Sequence, residues 1–243
     1  MFSLIGLGIW DEKDVSLRGL ETCKRADKIY CELYTAVWGG DVAKLEKLVG
    51  KKIEVVERSD IEDNSDKLIE EAKSKNIALL APGDPLTATT HVHLIMECKQ
   101  KKVDYEIVHS SSIYTAITKS GLQLYKFGRT ATVITPSKGY ESTGFYDALA
   151  ENHKLGLHTL LLLDVNMGTK QALEILKNIE AKRKNKILKE AIICSALGSE
   201  NEHLIYGKIG DISDIELPAP AVVIVPGELH FLEKEFLETL DKP

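Results

Sequence analysis

The apolar run Ile77-Ala78-Leu79-Leu80-Ala81 is cut off abruptly by Pro82-Gly83-Asp84-Pro85, and a threonine-rich bend over 86–90 leads into a helix-like pattern. A run of that length, bounded by turn residues, reads as a buried strand. It delivers one carboxylate and several free backbone groups to the edge of a sheet. In an open α/β sheet the carboxyl ends of the strands are where ligands sit. Asp84 is therefore the first candidate functional residue.

Strand and helix patterns alternate along the whole chain. Strands are expected at 2–7, 28–32, 52–56, 77–81 and 105–109. Helices are expected from a cap at Asp14 or Ser16 with Leu17, Leu20 and Cys23 on its apolar face, then over 41–49 and 65–75. A further helix over 91–101 has Thr89 or Thr90 available as cap, and one from Ser111 or Ser112 runs through Ser120. A second set follows, with strands at 130–135, 159–164, 190–196, 204–208 and 221–225 and helices at 145–155, 170–182 and 231–240. Alternation of this kind predicts α/β architecture with largely parallel sheets. The unpatterned stretch 121–128 is a natural boundary between two lobes, and a cleft between lobes is a usual place for a ligand.

A chain of 243 residues suffices for one large or two modest domains. The net charge of −6 argues against a nucleic-acid binder working through a broad basic face. No apolar run approaches membrane-spanning length, and the N-terminus enters a strand without a basic leader, so a cytoplasmic protein is expected. Cys23, Cys31, Cys98 and Cys194 lack Cys-x-x-Cys spacing and read as buried thiols.

Several motifs narrow the chemistry. Gly6-Leu7-Gly8-Ile9-Trp10-Asp11 begins like a dinucleotide fingerprint but has Asp11 at the third glycine position, which excludes a Rossmann dehydrogenase. The two glycines allow a tight turn, structural or beside a ligand. No P-loop and no Gly-x-Ser-x-Gly elbow occurs. His91 and His93, two residues apart, do not share a helix face, so no metal site is expected. Ser110-Ser111-Ser112-Ile113 forms a polar strand-to-helix junction, and Pro226-Gly227-Glu228-Leu229-His230 repeats the strand–Pro-Gly pattern of the opening feature.

Taken together and in order, 2–10, 81–91, 112–114, 121–128, 156–164 and 225–230 closely resemble the diphthine synthase family, within the tetrapyrrole-methylase-like group of S-adenosylmethionine methyltransferases. The Gly83-Asp84-Pro85 segment indicates the wider group, while Tyr125-Lys126-Phe127-Gly128 and Gly156-Leu157-His158-Thr159 indicate the narrower one. The resemblance implies two α/β domains of the tetrapyrrole-methylase type, assigned as 1–112 and 113–243, with the cofactor in the cleft between them and a homodimeric assembly. It implies N-methylation, three times, of the amino group on the 3-amino-3-carboxypropyl-histidine of translation elongation factor 2, giving diphthine and S-adenosylhomocysteine. The cofactor-binding positions carried over are Ile9, Asp84, Thr87, Ser112, Ile113, Leu163, Tyr206 and His230. Thr87 stands where the family has an aliphatic residue and Tyr206 where it often has a small one.

Methyl transfer from a sulfonium to an amine needs orientation and a dry pocket more than acid–base groups, so no catalytic side chain is assigned. Asp84 is expected to accept a hydrogen bond from the cofactor or to support its positive charge. The rival readings are a methylase of a small tetrapyrrole or corrin precursor on the same fold, and a cofactor-binding protein without turnover.

Overall fold

The computed structural model describes residues 1–136, 143–165 and 167–240. The chain divides into two compact units, Met1–Ala116 and Ile117–Pro243.

The first unit contains β1 (Phe2–Gly6), α1 (Leu17–Arg25), β2 (Lys28–Glu32), α2 (Val42–Val49), β3 (Glu54–Val56), α3 (Arg58–Glu62), α4 (Ser65–Glu71), β4 (Ile77–Ala81), α5 (Val92–Lys101), β5 (Tyr105–Val108) and α6 (Ile113–Ala116). The expected boundary at 112/113 lies at the start of α6, and the division lies at its end. All five strands run parallel in the order β3-β2-β4-β1-β5. Helices cover both faces of the sheet. Phe2, Leu4, Ile77 and Leu79 point to a layer with α3, α4 and α5, and Ile5, Ala78 and Leu80 to a layer with α1 and α2. Two covered faces explain why β1 and β4 are buried at every position and why β4 reads as an unbroken apolar run and not as an alternating one.

The second unit contains β6 (Ala131–Val133), α7 (Gly144–Lys154), β7 (Thr159–Leu163), α8 (Thr169–Arg183), β8 (Glu190–Ser195), β9 (His203–Lys208), α9 (Ile209–Ile212), β10 (Ala221–Val225) and α10 (Phe231–Leu237). Its sheet corrects the expectation of largely parallel pairing. In the order β6-β7-β10-β8-β9, only β6 and β7 are parallel, and β10 runs antiparallel to both of its neighbours. An apolar run records burial but not direction, so β10 looks like any other buried strand in the sequence. Leu161, Ile193 and Val223 on one face pack against Phe145, Leu173 and Leu176 from α7 and α8.

Local expectations differ from the structure at a few points. Leu17 is 80% exposed, and the buried face of α1 is Gly19, Thr22 and Cys23. Ser16 caps that helix, accepting from the Gly19 N–H at 3.0 Å. Neither Thr89 nor Thr90 caps α5: His91 holds the N-cap position, and the Thr89 hydroxyl donates instead to the Pro85 carbonyl at 2.9 Å. The helix expected through Ser120 is α-helical only to Ala116 and tightens to a 3₁₀ turn over Ile117–Ser120. All four cysteines are buried and free; burial pushes Cys23, Cys31 and Cys194 up to about 12.

Candidate cofactor site on three strand-end loops

The C-terminal edge of the first sheet gathers the loops leaving β4, β1 and β5, three adjacent strands. Gly8 and Gly83 exchange backbone hydrogen bonds, Gly8 N–H to Gly83 O at 3.1 Å and Gly83 N–H to Gly8 O at 2.9 Å. The open glycine turn noted in the sequence is thus a partner of the Gly-Asp-Pro loop. A Cβ on Gly6 would lie 2.5 Å from the Gly83 carbonyl oxygen, so the loops meet only because residue 6 has no side chain. At Gly83 itself, with φ +66°, a Cβ would meet nothing within 4 Å. Only the side of its Cα where a side chain would stand opens onto free space.

Asp84 is buried, and each of its carboxylate oxygens accepts two hydrogen bonds. Oδ1 takes the Leu86 N–H at 3.1 Å and the Thr87 hydroxyl at 3.2 Å; Oδ2 takes His109 Nδ1 at 2.7 Å and the Ser110 N–H at 3.2 Å. Burial alone would raise its pKa, but His109 and the Leu86 and Ser110 N–H groups outweigh burial and hold it below the usual value. The carboxyl is ionised. A carboxylate offers about four lone-pair directions, so a ligand donor must displace one of these partners. His109 is the exchangeable one, because its side chain is 69% exposed.

Ile9 follows Gly8, and Ser112 and Ile113 follow Ser110 into α6, so five of the eight expected positions belong to these three loops. The other three lie in the second unit, where the pairing register separates them. Leu163 is the last residue of β7 and packs on the α7–α8 face. Tyr206 lies on the rung of Ile192, Ile224 and Leu160, hence on the opposite face, and its hydroxyl donates to Glu190 at 2.6 Å. His230, exposed, caps α10 beyond the other end of β10.

Sequence reasoning missed the group that holds the His230 loop. Glu233, in the first turn of α10, is fully buried and again takes two donors on each oxygen. Oε1 takes the Gln123 N–H at 2.9 Å and His158 Nε2 at 3.1 Å; Oε2 takes Lys126 Nζ at 2.6 Å and the His230 N–H at 2.7 Å. His158 Nδ1 accepts from the Gly227 N–H at 2.9 Å, so the proton sits on Nε2 and donates to Glu233. Burial opposes the charge on Glu233, yet Lys126, Gln123, His230 and His158 bring its pKa down to about 2. Burial likewise lowers the pKa of His158 and keeps the ring neutral. The available signal was the spacing of His230 and Glu233, which is that of a capping box. His109 left no such signal, since its partner lies 25 residues away.

A cavity of about 390 Å³ lies where β2 and β3 begin, at the end of the sheet remote from these loops. Its lysines are engaged, Lys28 with Glu54, Lys52 with Glu46 and Lys51 with the Ala26 carbonyl. Among the described residues no group of three or more His, Cys, Asp or Glu side chains is placed to hold a metal.

Residues 1–213 match the model of the tetrapyrrole (corrin/porphyrin) methylases. The chain is 42% identical over 253 residues to the diphthine synthase of Methanocaldococcus jannaschii, covering 99% of this chain and 98% of that one. It is 41% identical over 251 residues to that of Methanococcus aeolicus, with the same coverage. A crystal structure of diphthine synthase superposes with a TM-score of 0.90 at 36% identity, over 100% of this chain and 96% of that one. That of a putative diphthine synthase from Entamoeba histolytica gives 0.92 at 33%, over 100% and 98%. With likeness at this level over the full length in both sequence and fold, the chain belongs to the diphthine synthase family of the tetrapyrrole methylases.

Proposed function

We propose that the protein is an S-adenosylmethionine-dependent N-methyltransferase of diphthamide biosynthesis. It trimethylates the amino group of the 3-amino-3-carboxypropyl-histidine of translation elongation factor 2 and so yields diphthine. The observation that carries this reading is the full-length identity of about two residues in five to proteins named diphthine synthase. A cytoplasmic homodimer that binds neither nucleic acid nor membrane comes with the same reading.

The first-unit loops suit such a cofactor. An ionised carboxylate with a displaceable imidazole partner, next to a glycine with open space where a side chain would stand, fits a ligand that carries hydroxyls and positive charge. Asp84 and Thr87 with Ile9, Ser112 and Ile113 would hold it on the first unit. S-adenosylmethionine supplies a methyl group on a sulfonium whose leaving group, a neutral thioether, needs no acid. Asp84 gives its support as a fixed negative charge. Being ionised and saturated with donors, it has no part as a proton donor. The substrate amine must be unprotonated to react, and burial lowers an amine's pKa without a dedicated base.

The test is mass spectrometry of elongation factor 2 bearing the aminocarboxypropyl group, after incubation with the protein and S-adenosylmethionine. The reading predicts mass steps of one methyl up to three. Methylation of a porphyrinoid, with elongation factor 2 untouched, would replace it with the tetrapyrrole reading.

A further inference from the structure

Beneath the loop that carries Asp84 sits a buried pair that methyl transfer does not use. Glu32, the last residue of β2, and His91, just before α5, are both fully buried. His91 Nδ1 lies 3.1 Å from the Pro85 carbonyl oxygen, which can only accept, so Nδ1 carries a proton. His91 Nε2 lies 3.8 Å from Glu32 Oε1 and has no hydrogen-bond partner. Glu32 in turn gathers the segment leaving β2. Its Oε2 accepts the Tyr34 and Thr35 N–H groups at 3.1 and 3.2 Å, and its Oε1 accepts the Thr35 hydroxyl at 2.6 Å. The chain exits of two adjacent strands, β2 and β4, thus end on two side chains that face each other.

A carboxylate facing an imidazole lone pair with nothing between them is a poor arrangement, since a buried acceptor goes unmet. One proton resolves it. Placed on the carboxyl, it leaves both groups neutral and turns the facing contact into a donor aimed at Nε2, which becomes a hydrogen bond once the 3.8 Å separation shortens. Burial favours that state, because it pushes the Glu32 carboxyl up and the His91 imidazole down. The other titratable groups whose charge reaches the pair are Glu62 on α3 and His93 on α5.

We propose that Glu32, closing on His91 Nε2 as a neutral acid from the 3.8 Å at which it faces it, and His91, donating to the Pro85 carbonyl, are positioning residues that lock the turn presenting Asp84 and Thr87 to the exit of β2. The proposal rests on reading that turn as part of the methyl-donor site. It makes Glu32→Gln the conservative variant, since the amide N–H donates to Nε2 as the protonated acid does.

The test is calorimetric titration of S-adenosylmethionine into the wild type, Glu32→Gln, Glu32→Ala and His91→Ala, together with nitrogen-15 NMR of His91 in the wild type, assigned by loss of its signal in His91→Asn. The two alanine variants should lose affinity about tenfold or more, as small misplacements do, and Glu32→Gln should stay within about threefold of wild type. The NMR should show a neutral ring with Nδ1 protonated. Alanine variants that bind as the wild type does, or Glu32→Gln falling as far as Glu32→Ala, would overturn the proposal. So would a His91 ring protonated on Nε2, a result that holds even if an alanine variant fails to fold. A wild type that binds no S-adenosylmethionine would instead refute the functional reading, and the NMR would still judge the pair.

Discussion

The loops after β4 and β10 solve one problem in two ways. Each leaves a buried strand through Pro-Gly, and each is pinned by a carboxylate taking two donors on each oxygen, one of them a histidine. At Asp84 the histidine is exposed and can be exchanged for a ligand. At Glu233 it is buried, its tautomer is fixed by the Gly227 N–H, and a lysine adds a second charge. The first carboxylate lies within the loop it holds. The second lies on the helix beyond and ties together segments at 123, 126, 158 and 230. The difference teaches that two carboxylates equally saturated with hydrogen bonds can still differ in whether a ligand could reach them, because the exposure of their partners differs.

Glu233→Gln should break the contrast most severely. It removes the charge that Lys126 and His158 face, and chemical denaturation should register a loss of about 3 kcal/mol, in the range for a broken buried pair. Acid unfolding probes the same group. With its pKa depressed from 4.5 to about 2, Glu233 contributes about 3 kcal/mol that is fully present above the unfolded pKa and disappears as pH falls from about 4.5 towards 2. The Glu233→Gln variant should lose that part of the wild type's acid dependence, and an unchanged acid profile would contradict the account. Gly6→Ala comes next. The added methyl would push the Gly83 carbonyl away, and a stability loss of about 1–3 kcal/mol together with weaker S-adenosylmethionine binding is expected. His109→Ala should do least. It removes an exposed partner, and a change in affinity of under about threefold by calorimetry would fit its role as the exchangeable donor.

Much of this frame was legible beforehand. The strands Lys28–Glu32, Ile77–Ala81 and Ala221–Val225 match the sequence ranges because each is an apolar run closed by turn residues or charge. Asp84 stood out because prolines flank it. The direction of β10 was not legible, since pairing depends on the path of the connecting chain. The helix Arg58–Glu62 buries only Ile61 and so leaves no periodic trace. The His109 and Ser110 donors on Asp84 come from the loop after β5, which lies beyond β1 in the sheet, and Glu32 and His91 face each other from the exits of β2 and β4, neighbours in the sheet but far apart in sequence. Only the assembled sheet brings them together.

The most direct test of the contrast is calorimetric titration of S-adenosylmethionine into Asp84→Ala, with thermal unfolding measured alongside. The account predicts a drop in affinity of about tenfold or more with a stability loss of only about 1–2 kcal/mol. Unchanged cofactor affinity in a folded Asp84→Ala protein would contradict it.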